Sequence, residues 1–241
     1  MKLAYDVSII IPCYNEEKHL ARNVEEIRKV MDQTRYNYEM VFVDDCSSDN
    51  TRVIIERLIQ RFSNIQSLYH KKNVGRGGAV TDGILIAKGE VVGFIDIDLE
   101  VHARYIPSMI LAIHDGFDVA TANRIYLYQQ TGLFRHIMSK SYRLLTRIVL
   151  KHKLKDTETG FKFFKRDRIL PIMNKTRNRK WFWDTEIMIL SDREDLKIIE
   201  LPCLFIRRAD RKSTVRIIPD TFQYLADLII FRRRLKKDSL L

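Results

Sequence analysis

Apolar residues along this chain follow two periods in turn. "VSIIIPCY" (7–14) is an almost unbroken β-branched run, the pattern of a strand covered on both faces. Residues 18–33 then place Leu20, Val24, Ile27, Val30 and Met31 at helical spacing. The alternation repeats. "YEMVFVDD" predicts a second strand, and "SSDNT" offers Ser48 or Asp49 as N-cap of a helix to Arg61, with Val53, Ile54, Leu58 and Ile59 inward. "IQSLYH" predicts a third strand, "NVGRGGA" a glycine turn, "AVTDGILIAK" a short helix and "VVGFIDID" a fourth strand. Strands separated by helices make βαβ units, so the expected fold class is α/β: a Rossmann-like, mostly parallel sheet flanked by helices. Ligands of such sheets bind beyond the carboxyl ends of the strands. Tyr14, Asn15 and Glu16, then Asp44 and Asp45, then residues 73–75, then Asp96 and Asp98 all fall at those ends.

The second half is less regular. Residues 133–151 read as a helix with Phe134, Ile137, Met138, Leu145, Ile148 and Val149 on one side. Arg135, Lys140, Arg143, Arg147 and Lys151 lie among its remaining positions. A further helix is expected over 184–191, short strands at "IIELP" and "LFIRR", and a basic amphipathic helix at "DTFQYLADLIIFRRRLKK". No Pro/Gly/Ser-rich linker, low-complexity tract or repeat divides the chain. The expected organisation is one domain over residues 1–214 with an appended amphipathic helix over 215–241, placed at a membrane surface.

Charge sharpens this picture. Residues 1–120 hold 14 Lys/Arg against 18 Asp/Glu, net −4, and residues 121–241 hold 28 against 13, net +15, which make the +11 of the whole. A basic second half suits an anionic partner: nucleic acid, phospholipid headgroups or a phosphorylated substrate. The three cysteines are scattered without a CxxC pair, which argues against a disulfide framework or zinc site and fits a reducing compartment. The first apolar run is too short for a signal peptide or membrane span.

"GFIDIDLE" (93–100) is the most pointed cluster. On an extended strand Asp96, Asp98 and Glu100 project from one face, with adjacent acids roughly 6.5–7 Å apart. They could bind Mg²⁺ or Mn²⁺, whose hard character suits carboxylate oxygens, once the strand bends or water mediates. The plain alternative is a solvated strand end. In "VDDCSSDNT", Asp44 could accept from a base or ribose, and the same stretch also reads as a capped helix start. "NVGRGGA", with Arg76, could approach a phosphate closely, or be an ordinary turn.

"IIIPCYNEE", "VFVDDCSSDNT", "KNVGRGGAV" and "GFIDIDLE", in that order, resemble the inverting glycosyltransferase family 2 with its GT-A fold. "DTETGFKFFKR", "WFWDTEIM" and "FIRRADRKST" are similar to segments of the polyprenyl-phosphate sugar synthases, of dolichyl-phosphate glucosyltransferase or mannose synthase type, and "TGFKFF" leans toward the glucosyl type. The resemblance implies that Asp96 and Asp98 bind the metal, with Glu100 contributing. It places Pro12, Tyr14, Glu16 and Asp44, with Asp45 nearby, around the nucleotide. Arg124 would face the donor or acceptor phosphates, Arg135 and Ser139 would hold the acceptor phosphate, and Asp156 would line its site. Arg208, Lys212 and Ser213 correspond to a loop closing on the diphosphate. Here the chain departs from the family, which usually has Gly-x-Ser-Lys where this sequence reads Arg211, Lys212, Ser213, Thr214.

The implied activity is metal-dependent, inverting transfer of glucose or mannose from a nucleotide sugar (UDP-glucose or GDP-mannose) to a polyprenyl phosphate. It would take place on the cytoplasmic face of a membrane, with a membrane-embedded partner or a second copy of the chain left open. An alternative within the family is transfer to a glycan hydroxyl in cell-surface polysaccharide synthesis, which needs a carboxylate base such as Asp184 or Glu186. Both also read as helix-start acids favoured by the helix dipole. A nucleic-acid-binding module fits the charge but lacks stacking aromatics or a zinc finger, so no nucleic-acid partner is expected. A catalytically dead nucleotide-sugar-binding protein stands against the intact acid trio.

Overall fold

The computed structural model describes residues 4–126, 133–207 and 217–238, with the side chains of 133–141 and 217–221 outside that set. Seven strands form one sheet: β1 (Tyr5–Cys13), β2 (Tyr38–Asp44), β3 (Ile65–Tyr69), β4 (Gly89–Ile95), β5 (Val119–Tyr126), β6 (Phe161–Lys165) and β7 (Ile198–Phe205). Their spatial order is β3-β2-β1-β4-β6-β5-β7. β6 runs against both of its neighbours, and every other pairing is parallel. The expected mostly parallel sheet is therefore present. The antiparallel insertion has one consequence for the site: β6 starts, rather than ends, at the edge where β1, β2, β4 and β5 finish. Ile95 faces Phe161 there in register.

The helices are α1 (Leu20–Met31), α2 (Thr51–Arg61), α3 (Arg76–Ile86), α4 (Ile106–His114), α5 (Leu133–Leu150), α6 (Arg166–Met173), α7 (Trp183–Arg193) and α8 (Ile217–Lys237). They cover both sheet faces. Strand alternation divides neighbouring residues between two cores. Ile9, Ile11, Phe42 and Phe163 pack beneath α1 and α4, whereas Ile10, Val41, Phe94 and Phe164 pack beneath α3, α6 and α7. Trp183 anchors the second core, with its ring edge-on to Phe94 at 5.5 Å between centroids. Such a pair adds about 0.5–1.5 kcal/mol beyond the area it buries.

Several elements differ from the sequence reading, each for a physical reason. α2 begins at Thr51 and buries Thr51, Ile55 and Leu58, with Ile54 and Ile59 packed against the core as expected, whereas Val53 is exposed. α3 begins at Arg76, so the glycines form its first turn rather than a loop before it. A Cβ on Gly77 would overlap Trp183, so these glycines let α3 approach the 179–183 segment. "IIELP" and the "LF" of "LFIRR" merge into the single strand β7, which tolerates Pro202 because β7 stands at the edge of the sheet, beside β5. Ile148 lies outward on α5 while Leu145 and Val149 pack against the second core. Among the described residues no helix is long and apolar enough to cross a membrane.

Candidate functional site

The ends of β1 and β2 make a shelf. Pro12 is half-buried opposite Val43, Cys13 pairs with Asp44, and Tyr14 stands exposed beyond the strand. Asn15 adopts a left-handed backbone (φ 56°) that its short amide side chain tolerates. Its Oδ1 accepts from the Ser48 amide at 2.8 Å, tying the two loops together. Glu16 is buried, and its amide donates to Thr51 Oγ1 at 2.7 Å. Asp44, also buried, accepts from the Ser47 amide at 3.3 Å. Asp45 has a different part from its neighbour. Its carboxylate accepts from the amides of Val74 (2.8 Å) and Gly75 (2.9 Å) and meets His70 Nδ1 at 2.8 Å. Asp45 therefore holds the turn that leads into Arg76.

The three acids of 96–100 do not share one face of an extended strand. β4 ends at Ile95, and the Leu99 amide donates to the Asp96 carbonyl at 3.1 Å, closing a turn with Leu99 left-handed (φ 54°). Ile97 and Leu99 turn inward while Asp98 accepts from the Glu100 amide at 3.2 Å. Among the described residues no three His, Cys, Asp or Glu side chains gather to hold a metal. The expected cation does not need such a cluster, because Mg²⁺ is ordinarily held by one or two carboxylates plus substrate phosphates and waters. The Asp96 carboxylate also lies in a cradle against Gly160, where a Cβ would overlap it. The hard oxygen donors of Asp96 and Asp98 fit Mg²⁺ or Mn²⁺.

Behind Asp96 stands a buried charge chain. Arg76 Nε donates to Asp96 Oδ1 at 2.7 Å and its Nη1 to Asp184 Oδ2 at 2.5 Å. Lys162, fully buried in β6, donates to Asp184 Oδ1 at 2.8 Å and to the Thr159 carbonyl. Burial works against the Arg76 cation, but Asp184 and Asp96 outweigh it and hold its pKa above the ordinary arginine value. Burial pulls the Lys162 pKa down against the opposing charge of Asp184. Glu186, the second candidate base on α7, accepts from the amides of Arg177 and Asn178 and pairs with Arg234 Nη2 at 2.6 Å. It joins α7 to α8.

A second charged centre lies at the end of β5. Arg124 Nε and Nη2 donate to the two oxygens of Asp156 at 2.6 and 2.8 Å, a bidentate pair. Asp156 is fully buried. Burial opposes its ionisation, yet the Arg124 guanidinium holds its pKa below the usual carboxylate range. Glu200 of β7 fixes this loop by accepting from the amides of Lys155 and Asp156, each at 2.8 Å. Glu158 follows, its Oε2 3.8 Å from Arg124 Nη2. Burial pushes its carboxyl up to about 7, with Asp156 and Asp184 adding to the rise and Arg124 and Arg143 opposing it.

The structure thus brings Arg76, Asp96 and Asp184 into one network and Arg124 with Asp156 into another. Arg135 and Ser139 belong to α5, but their side chains fall outside the described set, and Arg208, Lys212 and Ser213 lie outside the described residues. Lys162, Glu158 and Glu200 are additions that the sequence pattern does not single out. The available signal for Lys162 is a lone cation inside an aromatic strand, "GFKFF", which demands a buried counter-ion. Near the other border, the Ile206 amide donates to the Glu100 carbonyl at 2.8 Å, joining the exit of β7 to the acid turn.

Comparison with known proteins agrees with this architecture. The profile of Glycosyl transferase family 2 matches residues 8–170. The chain is 30% identical over 212 residues to dolichyl-phosphate beta-glucosyltransferase ALG5D of Trichomonas vaginalis, covering 81% of this chain and 64% of that protein. It is 27% identical over 217 residues to glycosyltransferase AglD of Haloferax volcanii, covering 86% of this chain and 34% of that protein. The chain therefore spans about a third of one relative and just under two thirds of the other. Among solved structures, glucosyl-3-phosphoglycerate synthase from Mycobacterium tuberculosis, in complex with Mn²⁺, UDP and glucosyl-3-phosphoglycerate, superposes with a TM-score of 0.69. It is 17% identical, over 95% of this chain and 80% of that one, and shows the shared GT-A type fold. With the profile spanning more than half of its residues, the chain belongs to glycosyl transferase family 2.

Proposed function

We propose that this domain transfers a hexose, glucose or mannose, from a nucleotide sugar to a polyprenyl phosphate of dolichyl type, inverting the anomeric carbon. The observation that carries the reading is the pair of half-buried arginine centres, Arg76 and Arg124, at the sheet edge that also bears the acid turn. One centre serves a donor diphosphate and the other an acceptor phosphate. The names of the relatives, dolichyl-phosphate beta-glucosyltransferases among them, support the same acceptor.

The chemistry follows from the residues. Tyr14 and Asp44 offer a shelf for base and ribose, with Pro12 and Glu16 supporting it. Asp96 and Asp98, with Glu100 beside them, would hold a divalent cation, which supplies Lewis-acid stabilisation of the departing diphosphate. The acceptor phosphate oxygen attacks the anomeric carbon from the side opposite the diphosphate; the bond to the diphosphate oxygen breaks and the configuration inverts. A phosphate monoester has its second pKa near ~6 and arrives largely as a dianion, so no strong base is needed. Asp184 and Glu186, the carboxylates that a hydroxyl acceptor would call on, are both engaged in ion pairs. The fixed positive charge of Arg124 stabilises the reacting phosphate electrostatically.

Contact with a membrane surface fits α5 and α8, whose rings Tyr142 and Tyr224 meet at 5.2 Å. Leu144 and Ile148 on α5 and Phe222, Ile229 and Ile230 on α8 are exposed, beside Arg232, Arg233, Lys236 and Lys237. Apolar side chains entering the headgroup region and cations meeting anionic lipid are the elements of interfacial binding. Three free cysteines suit the reducing, cytoplasmic face.

The test is to incubate the protein with labelled UDP-glucose or GDP-mannose, Mg²⁺ or Mn²⁺, and either a polyprenyl phosphate or oligosaccharides. Label in the lipid phosphate supports the proposal, and label only in oligosaccharide overturns it. Co-sedimentation with anionic liposomes checks the surface contact; no binding at low salt removes that part.

A further inference from the structure

We propose that Glu158 is a positioning residue that governs, through Arg124, how the site takes up an anionic acceptor; this rests on the lipid-phosphate reading above. Arg124 has one intimate carboxylate and one loose one. Asp156 closes on it at 2.6 and 2.8 Å, whereas Glu158 Oε2 stands 3.8 Å away. That separation is too long for a hydrogen bond and short enough for strong Coulomb attraction. The Glu158 amide donates to Asp156 Oδ1 at 3.2 Å, so the two acids belong to one turn of the 155–160 loop. The loop ends at Gly160, against Asp96, and so lies at the site edge.

The surroundings of Glu158 come from four elements and its own loop. Arg124 of β5 and Asp156 of its own loop lie against it, and its charge is felt by or coupled to Arg143 and Tyr142 of α5, Asp184 of α7 and Tyr224 of α8. Both tyrosines are kept neutral by burial, which raises their pKa values. Asp184 is already paired to Arg76 and Lys162, so the charge around Arg124 turns mainly on the two arginines and the two loop acids. With Glu158 protonated, this neighbourhood carries one negative charge fewer, and an arriving phosphate meets a more positive site. With Glu158 ionised, that charge returns and the attraction weakens. Since the Glu158 carboxyl titrates at about 7, uptake of an anion is coupled to uptake of a proton by this side chain.

The experiment is calorimetric titration of a short-chain polyprenyl phosphate into the whole protein between pH 6.5 and 8.5, for the wild type and for Glu158→Gln. Glutamine is isosteric with the protonated acid and preserves its packing. The wild type is expected to bind about tenfold more weakly at the upper pH, and the variant to bind as the wild type does at pH 6.5 and stay flat. The acceptor's own ionisation works in the opposite direction, so it cannot produce that fall. Equal pH dependence in the two proteins overturns the proposal. So does a Gln variant that binds normally but turns over at no pH, because that outcome makes Glu158 a general base. If neither protein binds the polyprenyl phosphate, the lipid-phosphate reading fails. Sulfate, a dianion across this range, is then titrated in its place: a fall confined to the wild type sustains the role of Glu158, and identical curves remove it.

Discussion

Arg76 and Arg124 both place a half-buried guanidinium at one sheet edge, yet they are held in different ways. Arg124 closes its fork on a single, fully buried acid, and Glu200 on β7 fixes the loop that carries that acid. Arg76 divides its fork between Asp184, within the core, and Asp96, whose side chain is 37% exposed at the rim. The first arrangement fixes a positive charge in place. The second leaves Asp96 a partner that it can exchange, as a residue expected to meet a cation must.

The largest test of this contrast is Asp156→Ala, which takes from the half-buried Arg124 its fully buried partner. Breaking a buried pair in this way costs about 3–5 kcal/mol, visible as a lower urea midpoint at unchanged slope. Its pH dependence has a definite sign. The folded-state pKa of Asp156 lies below its unfolded value, so the contribution is complete above that unfolded value, near 3.8, and is lost as pH falls through the lower folded one. A wild-type advantage that persists unchanged at pH 2 would count against the pairing.

Glu158→Gln is next, and its effect runs the other way. A carboxyl raised from 4.5 to about 7 loses stability as pH climbs through that window, by about 3 kcal/mol once fully ionised. The variant should therefore unfold later than the wild type at pH 8 and together with it at pH 4, in urea melts at the two values. Gly160→Ala follows. Its methyl overlaps the Asp96 carboxylate and costs about 1–3 kcal/mol, and Mn²⁺ binding followed by paramagnetic resonance should weaken with it. Unaltered Mn²⁺ affinity would show that Asp96 does not depend on the cradle. Asp96→Ala has the smallest effect on stability, about 0–1 kcal/mol, because Asp184 still pairs with Arg76 and the lost acid is partly solvated. Metal-dependent transfer should nonetheless disappear with it.

The sequence made the first half of the sheet legible and much of the second half illegible, for a reason visible in the strands themselves. β1, β2 and β4 are covered on both faces and read as unbroken apolar runs, set off by helices of clear period. β6 has only five residues with a lysine among its aromatics, and β5 carries Ala120, Thr121 and Asn123 within its run. Their pairing is decided by partners far along the chain, which local pattern does not register. For the candidate site, motif order singled out Asp44, Arg76, Asp96 and Arg124. Partner identity was out of reach: nothing local says that Asp45 turns to the amides of 74 and 75, or that Asp184 is shared by Arg76 and Lys162.

The antiparallel placement of β6 also bears on how the chain is made. In the finished sheet β6 covers the outer edge of β4, from Val91 opposite Lys165 to Ile95 opposite Phe161. During synthesis β4 leaves the ribosome about 70 residues before its cover, at roughly 5–20 residues per second. For those seconds "VVGFI" is an unpaired apolar edge, the kind of template on which strands of neighbouring chains assemble. The segment that completes the candidate site is thus also the guard of the nascent sheet, and a ribosome stalled between the two strands would release a chain prone to aggregate.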